Sequence, residues 1–90
     1  MQCEADVTII NALGLHARAA AKLVALASRY ESEVLVIRGD KRVNAKSIMG
    51  VMMLAAAQGT ELKVVINGDD AEAAMLAIQG LIENRFGEDQ

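Results

Sequence analysis

Ala5-Asp6-Val7-Thr8-Ile9-Ile10-Asn11-Ala12-Leu13-Gly14-Leu15-His16-Ala17-Arg18-Ala19-Ala20 changes its hydrophobic period midway. Valine and isoleucine dominate from Ala5 to Ile10, which predicts a strand, and Asn11 breaks it. From Ala17 to about Ser28 the alanines, Leu23, Val24 and Ala27 recur at helical spacing, which predicts a helix with one apolar face. His16, the only histidine, stands where one pattern gives way to the other. The first turn of a helix leaves backbone N–H groups without intrahelical partners, and the aligned peptide dipoles put partial positive charge there. A neutral imidazole nitrogen is a competent nucleophile, and an anionic group that it picked up at such an end would find a cradle of donors.

Outward from this junction the elements alternate. Val34-Leu35-Val36-Ile37 and Arg42-Val43-Asn44 flank Gly39-Asp40, residues suited to a tight reversal, so they read as the arms of a hairpin. Ser47 begins a second helical segment that is expected to run to Ala57 and to stop at Gln58-Gly59. A fourth strand is expected from Glu61 to Asn67. Asp69 and Asp70 then suit the cap of a last helix, with Ala74, Met75, Ile78, Leu81 and Ile82 as its apolar stripe and Arg85 at its negative end. The order βαββαβα predicts an α+β sandwich, its sheet covered on one face by helices and open to water on the other.

Composition narrows the function. The chain has 90 residues, 53% of them apolar and 23% charged, which suits one globular domain with a shallow surface site. A net charge of −3 and the lack of a basic cluster argue against nucleic acid as a partner. The start, Met1-Gln2-Cys3-Glu4, lacks the features of a signal peptide. The longest apolar run, Ile48 to Ala57, is well short of the roughly 20 residues that cross a bilayer, so a cytoplasmic protein without membrane insertion is expected. One histidine and one distant cysteine give no metal-ligand set, no glycine-rich phosphate loop is present, and no cofactor is expected. Cys3 has no histidine nearby in sequence to activate it and reads as chemically incidental. No second acid or base is grouped with His16 in sequence, which argues against a self-sufficient enzyme.

Around His16 two readings stand side by side. It is either a solvated loop or cap residue or the acceptor of a phosphoryl group, which the helix end would stabilise by about 0.3–2 kcal/mol. Arg18, in the first turn, is either a surface arginine or a bidentate partner for the same phosphoryl oxygens, with the Ala17, Arg18 and Ala19 N–H groups as further ligands. A non-carrier regulatory interaction module on the same fold is the alternative to a carrier.

Gly14-Leu15-His16-Ala17-Arg18, Asn44-Ala45-Lys46-Ser47-Ile48-Met49-Gly50-Val51-Met52-Met53-Leu54 and Gln58-Gly59-Thr60-Glu61-Leu62 together resemble the HPr family of histidine phosphocarriers of the bacterial phosphoenolpyruvate-dependent phosphotransferase system. The resemblance covers essentially the whole chain. It implies the HPr-like open-faced sandwich, a four-stranded antiparallel sheet under three helices. It also implies acceptance of a phosphoryl group from enzyme I on Nδ1 of His16, with Arg18 on the phosphate side, and delivery to an enzyme IIA domain by a monomeric carrier. Ser47 matches the serine phosphorylated by HPr kinase/phosphorylase in part of the family. The Asn11-Ala12-Leu13-Gly14 approach is similar to the nitrogen-related branch, and a sugar-type member remains open. One departure is plain, since the family usually has proline where this chain has Ala19, and the chain has no proline at all.

The segment from Ser47 to Gln58 carries no charge. Helical spacing assigns Val51 and Leu54 to the core and leaves Ile48, Met49 and Met52 as an exposed apolar patch, unless the methionines only fill gaps under a loop. The resemblance makes this patch, with Ala20 on the first helix, the docking surface for donor and acceptor. Ser47 itself is well suited to capping the helix, whatever its regulatory role.

Overall fold

Alternation along the strands decides which face of the sheet the helices cover. In the computed structural model, which describes all residues from Met1 to Gln90, β1 (Gln2–Thr8) pairs with β4 (Glu61–Asn67), β4 with β2 (Glu33–Arg38), and β2 with β3 (Lys41–Asn44). All pairs are antiparallel and the order across the sheet is β1-β4-β2-β3. On the covered face Cys3 lies opposite Ile66, Ala5 opposite Val64 and Val7 opposite Leu62, and β2 adds Val34 and Val36 against Ile66 and Val64. The register thus gathers the buried valine, leucine and isoleucine side chains of β2 and β4 beside the half-buried Cys3, Ala5 and Val7 of β1 in adjoining rows. The other face carries Glu4, Glu33, Arg42 and Lys63 among Leu35, Ile37 and Val65, as an antiparallel sheet with one wet face does.

Three helices lie on the covered face, α1 (Ala17–Ala27), α2 (Ile48–Met53) and α3 (Ala71–Glu83). Ala19, Ala20, Leu23 and Ala27 of α1 and Ala71, Ala74, Met75, Ile78 and Ile82 of α3 are buried, so small side chains let these helices sit close to the sheet. Leu81, expected in the stripe, is only half-buried at its edge. The open-faced α+β sandwich and its βαββαβα order agree with expectation.

Several boundaries differ. The first strand spans Gln2–Thr8 rather than Ala5 to Ile10, because Ile9 leaves the ladder to bond with Thr60 and Gly59. The second helix ends at Met53, not Ala57. Its last turn tightens, with Leu54 N–H donating to Val51 O and Ala55 N–H to Met52 O, and Ala55 then takes a positive φ of 50°. Arg38 donates to the Leu54 and Ala55 carbonyls at 2.7 and 3.1 Å, and Lys41 to the Met53 carbonyl at 3.3 Å. Side chains from the hairpin therefore satisfy carbonyls that another helical turn would have used. Gly59, expected as the helix stop, instead begins the entry to β4, its N–H bonded to Ile9 O at 2.7 Å.

At the other end of the sheet Asp70 stands at the N-cap of α3, where its carbonyl accepts from the Ala74 N–H but its side chain makes no bond to that helix. Its carboxylate accepts from the Glu31 and Ser32 N–H groups at 2.9 and 3.0 Å and from the Ser32 hydroxyl. Asp69 is exposed, so neither aspartate makes the expected side-chain cap. Arg85 lies past the helix, in a short 3₁₀ turn from Arg85 to Gly87. The Ser32 hydroxyl first, then the Glu31 N–H, hold the Asp70 carboxyl below its ordinary value of 3.8. A lowered carboxylate pKa adds stability that is present above the unfolded value and lost as the pH falls through the folded one. Asp70→Asn is therefore expected to lower the melting temperature at neutral pH, with the gap to the parent narrowing below pH 3.8. Melting curves by circular dichroism along a descending pH series check this; a gap constant with pH would mean that the clasp acts through shape rather than charge.

Candidate functional site

The loop between β1 and α1 holds its shape through two features. Asn11 is fully buried, and its side-chain amide donates to the Gly14 carbonyl at 2.8 Å. Gly14 has φ of +67°, and a Cβ there would lie 2.5 Å from the Ala56 carbonyl oxygen. The Leu15 N–H bonds to that same oxygen at 2.8 Å. Glycine is thus required both for its left-handed backbone and for the close approach of the segment after α2. The loop delivers His16 as the N-cap residue of α1, with extended backbone and no side-chain cap bond.

The Ala20 N–H bonds to the His16 carbonyl at 2.8 Å, while those of Ala17, Arg18 and Ala19 have no backbone acceptor. These are the free donors that the sequence predicted at this end. Arg18 is exposed and makes no ion pair. With His16, Ala12, Leu13 and Glu88 to Gln90 it lines a shallow depression. Ala19 is fully buried, so its side chain belongs to the core while its N–H remains part of the first turn.

Sequence reasoning missed the partner of the imidazole. His16 Nε2 is hydrogen-bonded to Glu88 Oε2, and the other carboxylate oxygen accepts from Asn11 Nδ2 at 2.9 Å. Donation from Asn11, and after it from His16, holds the Glu88 carboxyl below the ordinary glutamate value of 4.5. An ionised carboxylate only accepts, so Nε2 must carry the proton. In the neutral ring the lone pair is therefore on Nδ1. Glu88 stands 72 positions from His16, and no local spacing connects them. One signal was there to read: Phe86, the only phenylalanine, lies two residues before this glutamate and is buried, which fixes where the tail lies.

The second expected region is Ser47 to Leu54. Ser47 Oγ accepts from the Gly50 N–H at 3.1 Å, which caps α2. Val51 and Leu54 are fully buried and Ile48, Met49 and Met52 are exposed, as helical spacing assigned them. Met49 is 75% exposed, which argues against a gap-filling role, and Met53, unexpected in this patch, is 68% exposed. Ala20 is a correction. It is fully buried against the core, because the small side chain on that face of α1 is what lets the helix pack closely, and it offers no docking surface.

Comparison with known proteins gives one consistent answer. Residues 3–84 match the family described as PTS HPr component phosphorylation site. The phosphocarrier protein HPr of Xylella fastidiosa strain Temecula1 is 54% identical over 96% of this chain and 97% of its own. The phosphocarrier protein NPr of Shewanella violacea is 44% identical over 94% of this chain and 93% of its own. Among solved structures, HPr-C-His from Thermoanaerobacter tengcongensis superposes with a TM-score of 0.94 at 46% identity, over 98% of this chain and 99% of that one.

Proposed function

Because this chain belongs to the HPr family of phosphocarrier proteins of the phosphotransferase system, we propose that His16 is the residue that takes up the phosphoryl group, on Nδ1. One observation carries this reading. Nε2 is committed to Glu88, so the free lone pair is on Nδ1, in a ring that begins a helix with three unpaired backbone donors. As Nδ1 bonds to phosphorus, the Ala17, Arg18 and Ala19 N–H groups and the Arg18 guanidinium supply positive potential for the phosphoryl oxygens. A carrier of this kind hands its group on, so the remaining catalytic groups belong to its partners.

Membership in the family implies partners within the phosphotransferase system. In this reading the donor is enzyme I and the acceptor an enzyme IIA-type domain, met in the cytoplasm by a monomer. The higher identity to the HPr relative than to the NPr relative, 54% against 44%, favours a carrier of HPr type. Ile48, Met49 and Met52, joined by Met53, form the docking surface, since flexible apolar side chains adapt to more than one partner. No helix is long and apolar enough to cross a membrane.

Incubation with phosphoenolpyruvate and enzyme I, followed by mass measurement under alkaline conditions, is expected to add one acid-labile phosphate to the parent chain and none to His16→Ala. Equal labelling of both would overturn the assignment.

Ala19 tunes this site. Where proline would remove a donor, alanine keeps one for the phosphoryl group but leaves the helix start less preorganised. Ala19→Pro is expected to raise stability by about 0.4–1 kcal/mol and to shorten the life of the phosphohistidine. Thermal melting and the decay of the isolated phosphoprotein check the two halves separately.

Ser47 serves as a regulatory site in the same scheme. A phosphate on its hydroxyl adds negative charge beside the Ile48, Met49 and Met52 surface and opposes acidic partner surfaces. With HPr kinase/phosphorylase and ATP, an acid-stable phosphate is expected on the parent chain and not on Ser47→Ala; an unmodified parent chain removes the regulatory role.

A further inference from the structure

The tail after α3 is fastened across the His16 junction at several points. Arg85, Phe86 and Gly87 have φ of 55°, 55° and 78°, so the chain turns sharply out of the helix. Phe86 is fully buried at that turn, and Lys22 Nζ donates to its carbonyl at 2.6 Å. Further on, the Ala12 N–H donates to the Gln90 carbonyl at 2.9 Å, and the Asn11 amide holds one oxygen of Glu88. Asn11 Nδ2 bonds to both Gly14 O and Glu88 Oε1, so a single buried amide sets the loop and the carboxylate together. The other carboxylate oxygen is thereby held on His16 Nε2. Arg85 and Phe86, two consecutive non-glycine residues in left-handed backbone, carry a strain that the buried aromatic ring and these bonds must offset.

The geometry points to Glu88 as a positioning residue for phosphoryl transfer, holding the proton on Nε2 and balancing the positive charge that the ring gains when Nδ1 bonds to phosphorus. This rests on the reading of His16 as the phosphoryl acceptor. In the uptake step the Nδ1 lone pair forms the N–P bond, the bond between phosphorus and the donor's leaving atom breaks, and its electron pair stays with the donor. The Nε2 proton does not move, so the ring becomes an imidazolium that bears the phosphoryl group. In the delivery step a lone pair of the acceptor forms the new bond to phosphorus, the N–P bond breaks and its electrons return to Nδ1. The imidazolium is thus the form shared by both directions, and a carboxylate on Nε2–H stabilises it in each. A carboxylate bonded to one imidazole nitrogen plays the same part for the other in hydrolase triads, where it fixes the tautomer and stabilises the cation. The protonated ring is also the better leaving group, so Glu88 keeps the carried group easy to release.

The test separates charge from shape. Parent chain, Glu88→Gln and Glu88→Asp are loaded with phosphoenolpyruvate and enzyme I below their melting temperatures. Loading rate and the decay of the isolated phosphohistidine at neutral pH are then followed by mass. The neutral carboxamide is expected to load about tenfold more slowly, given the difference between charged and uncharged hydrogen bonds. Its phosphohistidine is expected to decay more slowly than that of the parent chain. Glu88→Asp, which keeps the charge, is expected to lie nearer the parent chain on both measures. Glu88→Gln indistinguishable from the parent chain, Glu88→Asp no better than Glu88→Gln, or slow loading combined with faster decay, would each overturn the inference while leaving His16 as acceptor. Absence of acid-labile phosphate from the parent chain overturns the acceptor reading as well.

Discussion

The contact between Gly14 and the strand of chain at Ala56 and Ala57 is the constraint on which the rest of the site depends. Only a residue without a Cβ fits there, since the added carbon would lie 2.5 Å from the Ala56 oxygen and 2.9 Å from the Ala57 Cα. That approach lets Leu15 N–H reach Ala56 O, and so ties the loop that presents His16 to the segment that leaves α2. The imidazole and the apolar patch of α2 are therefore not independent decorations of a sheet. Met49 and Met52 belong to an element whose continuation is bonded, at Ala56, to the residue before His16. Close packing also explains the composition, because helices drawn this near to a sheet need alanine at their inner positions, as at Ala19, Ala20, Ala71 and Ala74.

How much of this was legible in the sequence follows from the range over which each feature is determined. The strand-to-helix change at His16, the hairpin around Gly39 and Asp40, and the split of the second helix into buried Val51 and Leu54 and exposed Ile48, Met49 and Met52 are local periodicities, and they read correctly. The end of α2 did not, because it is set by Arg38 and Lys41, which reach across from the hairpin to claim its last carbonyls. Asp70 read as a cap for the same reason. Its local position suits capping, but the Glu31 and Ser32 N–H groups, nearly forty positions away, outcompete the helix for its oxygens. Ala20 shows the converse error. A family docking region was carried over to a side chain that the covered face of α1 has buried.

At the candidate site the histidine and its place at a helix end were legible, while the carboxylate bonded to it was not. Periodicity reports neighbours within a few turns, and Glu88 meets His16 only after the whole sheet and three helices have been laid down. Asn11 reads as a strand breaker, but the strand has already ended at Thr8. Its larger role, a buried amide shared between the Gly14 carbonyl and the Glu88 carboxylate, depends on both ends of the chain arriving together. Sites assembled this way are therefore sensitive to folding of the whole domain as well as to the integrity of one loop.

The sheet order also has a bearing on colloidal behaviour. β1 and β3 are its two edges, and each leaves one row of backbone donors and acceptors without a neighbour. The first edge strand carries Glu4 and Asp6, the other Lys41 and Arg42. Like edges of two molecules repel each other as they approach while unlike edges attract, so these four side chains oppose β1–β1 and β3–β3 pairing and leave β1–β3 pairing to be limited by other means.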